Sequence, residues 1–101
     1  MDSRLLRQFL NLAEALHFGR ASEASHVSPS ALSRSIQQLE AEVGVALFSR
    51  DRRSVALTHE GRLFLPYARE ALTEWDAIHN TLMAEADELH GEVVMYCSVT
   101  A

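Results

Sequence analysis

Lysine is absent from the chain and cysteine occurs once, as Cys97. A lone thiol cannot close an internal disulfide, and beside the scattered His17, His26, His59, His79 and His90 it makes no zinc-ligand spacing. Neither a metal nor a cofactor is expected. No stretch approaches the roughly 20 uninterrupted apolar residues of a membrane helix. The N-terminus opens on Asp2 and Arg4 rather than on a basic and then apolar leader. These features predict a cytoplasmic protein. No nucleophile stands at a recognisable spacing from a base, and so short a chain has little room for a deep cleft, so an enzyme is not expected.

What remains is a chain of 101 residues, 48% of them hydrophobic, enough for one small domain with an appendage. The net charge of −5 argues against a nucleic-acid partner only if it is spread evenly. It is not: residues 1 to 65 carry +1 and residues 66 to 101 carry −6. With lysine missing, all nine basic groups are arginines, whose planar fork suits phosphate and guanine.

The hydrophobic spacing predicts a mainly α protein. Leu6, Phe9, Leu10, Ala13 and Leu16 give one apolar face to a helix from Ser3 to about His17, capped by Asp2 or Ser3. Phe18-Gly19 interrupts, and a short second helix follows from Arg20 to about His26. Ser28-Pro29 then starts a third helix, with serine as N-cap and proline in the first turn, where no N–H is needed. Leu32, Ile36, Leu39 and Val43 form its buried stripe, and Gly44 ends it. From Val45 to Thr58 the period falls to about two, predicting a hairpin with Asp51-Arg52-Arg53-Ser54 at its tip. Thr58 can cap a last helix reaching about Leu89, along which Leu65, Ala68, Leu72, Trp75, His79, Leu82, Ala86 and Leu89 keep a coiled-coil spacing. Pro66 lies inside that helix and predicts a bend near residues 62 to 66. The apolar tail from Glu92 to Val99 resembles the first strand of something larger.

Two short helices, a third with a polar face and an arginine-tipped hairpin fit the geometry of a winged helix-turn-helix. Its third helix would enter the major groove by its N-terminal end. Ser30, Ser33, Arg34 and Gln37 would then reach base edges or phosphates, although the same residues also suit an ordinary solvated helix face. Arg50, Arg52 and Arg53 outnumber Asp51 at the hairpin, which suits phosphate or a minor groove and equally a solvated basic turn. Glu40 reads as the partner of an arginine within the domain. A pure dimerisation module is the competing reading, and it leaves the hairpin arginines without a role.

Phe18-Gly19-Arg20, the run Val27 to Arg34, Leu39-Glu40, Val43-Gly44, Leu47-Phe48, Arg50, Leu57-Thr58 and Gly61 together resemble the N-terminal region of LysR-type transcriptional regulators. The resemblance covers residues 1 to about 90. It implies a winged helix-turn-helix DNA-binding domain over 1 to 58, a linker helix over 59 to 90 that pairs with a second copy, and over 91 to 101 the start of a truncated effector-binding domain. The function it implies is sequence-specific binding of double-stranded DNA, with the helix over 28 to 43 in the major groove and the wing over 50 to 53 on the backbone or minor groove. DNA contacts would fall on Ser28, Pro29, Ser30, Ala31, Ser33 and Arg34, joined by Gln37 from the helix face, and on Arg50, Arg52 and Arg53. Dimerisation would use Leu65, Leu72, Trp75, Leu82 and Leu89, with a tetramer in the full-length protein. A small-molecule inducer, bound outside this chain, would control a metabolic gene. Two departures stand out. Many members have Gln-Pro where this chain has Pro29-Ser30, and Ser22 and Ser25 replace more apolar residues, which implies looser packing of the second helix.

Overall fold

The computed structural model describes residues 2–50 and 54–90, the last four by backbone alone. The wing tip Asp51, Arg52 and Arg53, the tail over 91–101 and the side chain of Leu89 lie outside the described residues. Three helices come first, α1 (Ser3–Ala15), α2 (Phe18–Ser25) and α3 (Pro29–Val43); strands β1 (Phe48–Arg50) and β2 (Val55–Leu57) follow, and then α4 (His59–His90).

Each boundary has a local cause. The Asp2 carboxylate accepts the Arg4 N–H at 2.8 Å and starts α1, while Ser28 Oγ accepts the Ala31 N–H at 3.1 Å and starts α3. Gly44, at φ +97°, ends α3. Helix α2 begins two residues earlier than its sequence predicts, because the His17 ring is its cap: Nδ1 accepts the Arg20 N–H at 3.1 Å. Leu16 and His26 close α1 and α2 in the left-handed region although neither is glycine. Thr58 Oγ1 accepts the Gly61 N–H at 2.9 Å, capping α4 as predicted.

The strands form an antiparallel ribbon in which Phe48, Ser49 and Arg50 face Leu57, Ala56 and Val55. Phe48 turns inward, and its ring lies 5.4 Å from that of Phe9; Phe64 of α4 meets Phe9 edge-on at 5.1 Å. Phe9 thereby joins α1, the wing and α4. Around it Leu5, Leu12, Leu32, Ile36, Leu39 and Leu47 are fully buried, each worth roughly 1.5–3 kcal/mol of transfer free energy.

Two serines of α2 are engaged in hydrogen bonds. Ser22 is buried and donates to the Gly19 carbonyl at 2.8 Å, and Ser25 Oγ accepts from Asn11 Nδ2 of α1 at 2.9 Å. Helix α4 continues unbroken past Pro66, whose ring is exposed.

Candidate nucleic-acid interface

Helices α2 and α3 are separated only by His26, Val27 and Ser28. The turn is fixed by the Val27 N–H donating to the Ser22 carbonyl at 3.1 Å and by the Ser28 cap. Ala21 of α2 is fully buried in the core. This is the helix-turn-helix arrangement, with α3 as its second helix.

The stripe Leu32, Ile36 and Leu39 turns to the core, so the opposite face of α3 turns outward. On that face Ser30, Arg34 and Gln37 are exposed and Ser33 is half-buried. Ser28 and Pro29 are exposed at the helix start, and Ala31 is half-buried. Ser28 and Ser30 share a hydrogen bond between their hydroxyls at 3.3 Å. Four of the first turns' polar side chains are thus brought to one surface, next to backbone N–H groups that carry the positive end of the helix dipole.

Arg50 behaves differently from the rest of the predicted set. It ends β1 with its side chain 29% exposed, lying over the ring of Phe18 and turned towards Ser33 and Glu40 of α3. Glu40 is the intradomain partner of an arginine that its sequence position predicts. It also does something composition did not signal: its Oε2 accepts the N–H groups of Leu47 and Phe48 at 2.8 and 3.1 Å, fastening the end of α3 to the wing.

The predicted dimerisation residues divide into two groups. Leu72 is buried at 7% exposure within this chain, and Leu65 is half-buried against the head's core. Trp75 and Leu82 are 46% and 51% exposed, and Ile78 and Met83 join them, so the exposed part of the seam starts one turn after Leu72. There Arg7 of α1 meets Asp76 of α4 at 3.0 Å.

Comparison with known proteins places this geometry in a class. Residues 3–62 match the family of bacterial regulatory helix-turn-helix proteins of the lysR type. The chain belongs to that family. Over all 101 residues it is 48% identical to the HTH-type transcriptional activator IlvY of Salmonella typhimurium and 46% identical to the HTH-type transcriptional regulator IlvY of Escherichia coli. It spans about a third of the length of these curated relatives, 34% of each. Among solved structures it resembles the DNA-binding domain of CbnR in complex with DNA, at 36% identity and a TM-score of 0.78, covering 85% of this chain and 99% of that one.

Proposed function

We propose that the chain binds double-stranded DNA sequence-specifically as the N-terminal part of a LysR-type transcriptional regulator. Residues 1 to 58 act as the reading head and 59 to 90 as the linker. The observation that carries this reading is the outward face of α3: Ser30, Ser33, Arg34 and Gln37 sit on one side of a helix whose other side is wholly spent on the core. Likeness to a family member described in complex with DNA supports it. In this reading Ser28, Pro29 and Ala31 lie against the phosphates and groove wall, Arg34 and Gln37 reach base edges, and Arg52 and Arg53 meet the backbone or minor groove.

Two copies pair through Trp75, Leu82 and Leu89, giving two heads for two half-sites in the cytoplasm. In the whole protein the region beyond residue 90 binds a small inducer and assembles a tetramer. The runs His26 to Ser30 and Cys97 to Ala101 resemble those of the activator of acetohydroxy acid isomeroreductase in branched-chain amino acid synthesis, which makes an acetohydroxy acid the expected inducer. The IlvY relatives are in keeping with that branch of the family.

Selection of duplexes from a randomised pool by the 101-residue chain, followed by titration at two salt concentrations, tests the DNA reading. The expected result is an enriched site in two related halves, whose affinity falls steeply as salt rises. Recovery of an unenriched pool would refute sequence-specific recognition.

A further inference from the structure

Arg50 stands in the winged region as if it were one more cation for the phosphates, yet its guanidinium is already occupied on three sides. Its Cζ lies 5.1 Å from the centroid of the Phe18 ring at the start of α2. Nη2 is 3.9 Å from Glu40 Oε1, and Nη1 donates to Ser33 Oγ at 3.3 Å, both on α3. Glu40, with its side chain 18% exposed, is fixed in turn by the Leu47 and Phe48 N–H groups. The guanidinium is therefore seated on a ring, oriented by a carboxylate and aimed at a hydroxyl of the DNA-facing helix.

The chemistry of that last contact is one-directional. A guanidinium has five N–H donors and no acceptor. Ser33 Oγ must therefore accept, and its own proton is left to be donated elsewhere. Among the described residues Arg50 is the hydrogen-bond partner of this hydroxyl. Ser33 shares its helix face with Ser30, Arg34 and Gln37, so the direction left to that proton is outward.

We infer that Arg50 is a positioning residue, which acts on DNA through Ser33 rather than by touching phosphate. It presents the Ser33 hydroxyl as a donor to an acceptor on a base edge in the major groove, such as guanine O6 or N7, adenine N7 or thymine O4, and disfavours the amino groups of cytosine and adenine. The inference rests on the DNA-binding reading. It differs from a phosphate contact in what it controls: selectivity between sequences rather than their common affinity.

The test uses the full 101-residue chain and two labelled duplexes, one enriched from a randomised pool by the wild-type chain and one scrambled duplex of the same composition. Arg50→Gln and Ser33→Ala should each lower the ratio of the two affinities about tenfold. The double variant should lower it no further than either single change. Arg50→Lys, which keeps a donor without the fork, should restore part of the ratio. Two results would overturn the inference: a ratio that holds while both affinities fall and the salt slope shrinks by about one, or losses for Arg50 and Ser33 that add. Should Arg50→Gln not fold by far-ultraviolet circular dichroism, the same cycle run with Arg50→Lys decides between additive and shared losses. A wild-type chain that binds neither duplex refutes the DNA reading itself, and is told apart from the other outcomes before any variant is measured.

Discussion

The carbonyl oxygen of Leu47 occupies the space that a Cβ on Gly61 would need. The first turn of α4 is pressed onto the approach to the wing. Thr58 completes the contact, its N–H donating to the Leu47 carbonyl at 3.0 Å and its hydroxyl to the Ala46 carbonyl at 2.7 Å. Because the obstacle is backbone, it cannot swing aside as a side chain would. Gly61→Ala is expected to cost about 1–3 kcal/mol, lowering Tm by about 4–8 °C for each kcal/mol. Gly44 provides the contrast, since a Cβ there meets nothing within 4 Å and only the φ of +97° resists it. Gly44→Ala should cost about 1 kcal/mol and Gly44→Asn less. Thermal unfolding of the three variants checks the order, and equal losses at positions 61 and 44 would contradict the steric argument.

Arg34 is exposed one turn inside α3 and, among the described residues, no carboxylate stands within ion-pair distance of it. Its replacement by alanine should weaken binding to the enriched duplex by about 1–3 kcal/mol and relax the preference at one base pair. Arg53→Ala should weaken all duplexes alike and reduce the salt slope by about one. Titrations at several salt concentrations separate the two patterns, and retention of wild-type affinity by both variants would remove these residues from the interface.

Leu72 and Leu82 fall on one predicted seam but have different neighbours. Leu72 is already buried within the single chain, whereas Leu82 is half-exposed further along the helix. Leu82→Glu is therefore expected to dissociate a dimer in sedimentation runs while Tm of the dilute protein changes little. Leu72→Glu should unfold the head at any concentration, by placing a charge in an apolar site. A monomer for the wild type at tens of micromolar would dispose of the pairing.

Pro66 lies within α4 and removes one N–H from its ladder. Pro66→Ala should recover up to about 3 kcal/mol and raise Tm. If the proline also sets the angle between head and linker, the spacing of half-sites in selected duplexes will shift with it. An unchanged spacing would show that the residue is only tolerated.

Caps whose chemistry is written in the side chain were legible in the sequence. Ser28 and Thr58 start their helices, and Gly44 ends one, where residue type alone places them, and Asp2 is one of the two caps that residue type offers for α1. The start of α2 was not, because a histidine is a rare cap and Nδ1 of His17 acts only when its ring folds back over Gly19. The long seam was legible as a buried face but not as to what buries it: a three-and-four spacing is the same whether the neighbour is the head's own core, as for Ala68, or another chain. Arg50 shows the same limit on the polar side. Counting charges marks it as available to phosphate, and only the placement of Phe18, Ser33 and Glu40 reveals that its guanidinium is engaged.

The same rod that closes the core through Phe64 and Ala68 carries Trp75 and Leu82 beyond it, with no break between. Its 32 residues make a lever of about 48 Å. When two copies pair along the distal half, about 24 Å of rod stays free, and a tilt of about 10° between rod and partner moves a head by about 4 Å. That exceeds one base-pair step of about 3.4 Å. A pair of heads geared in this way can retune the operator spacing it accepts while every side chain that meets a base stays the same.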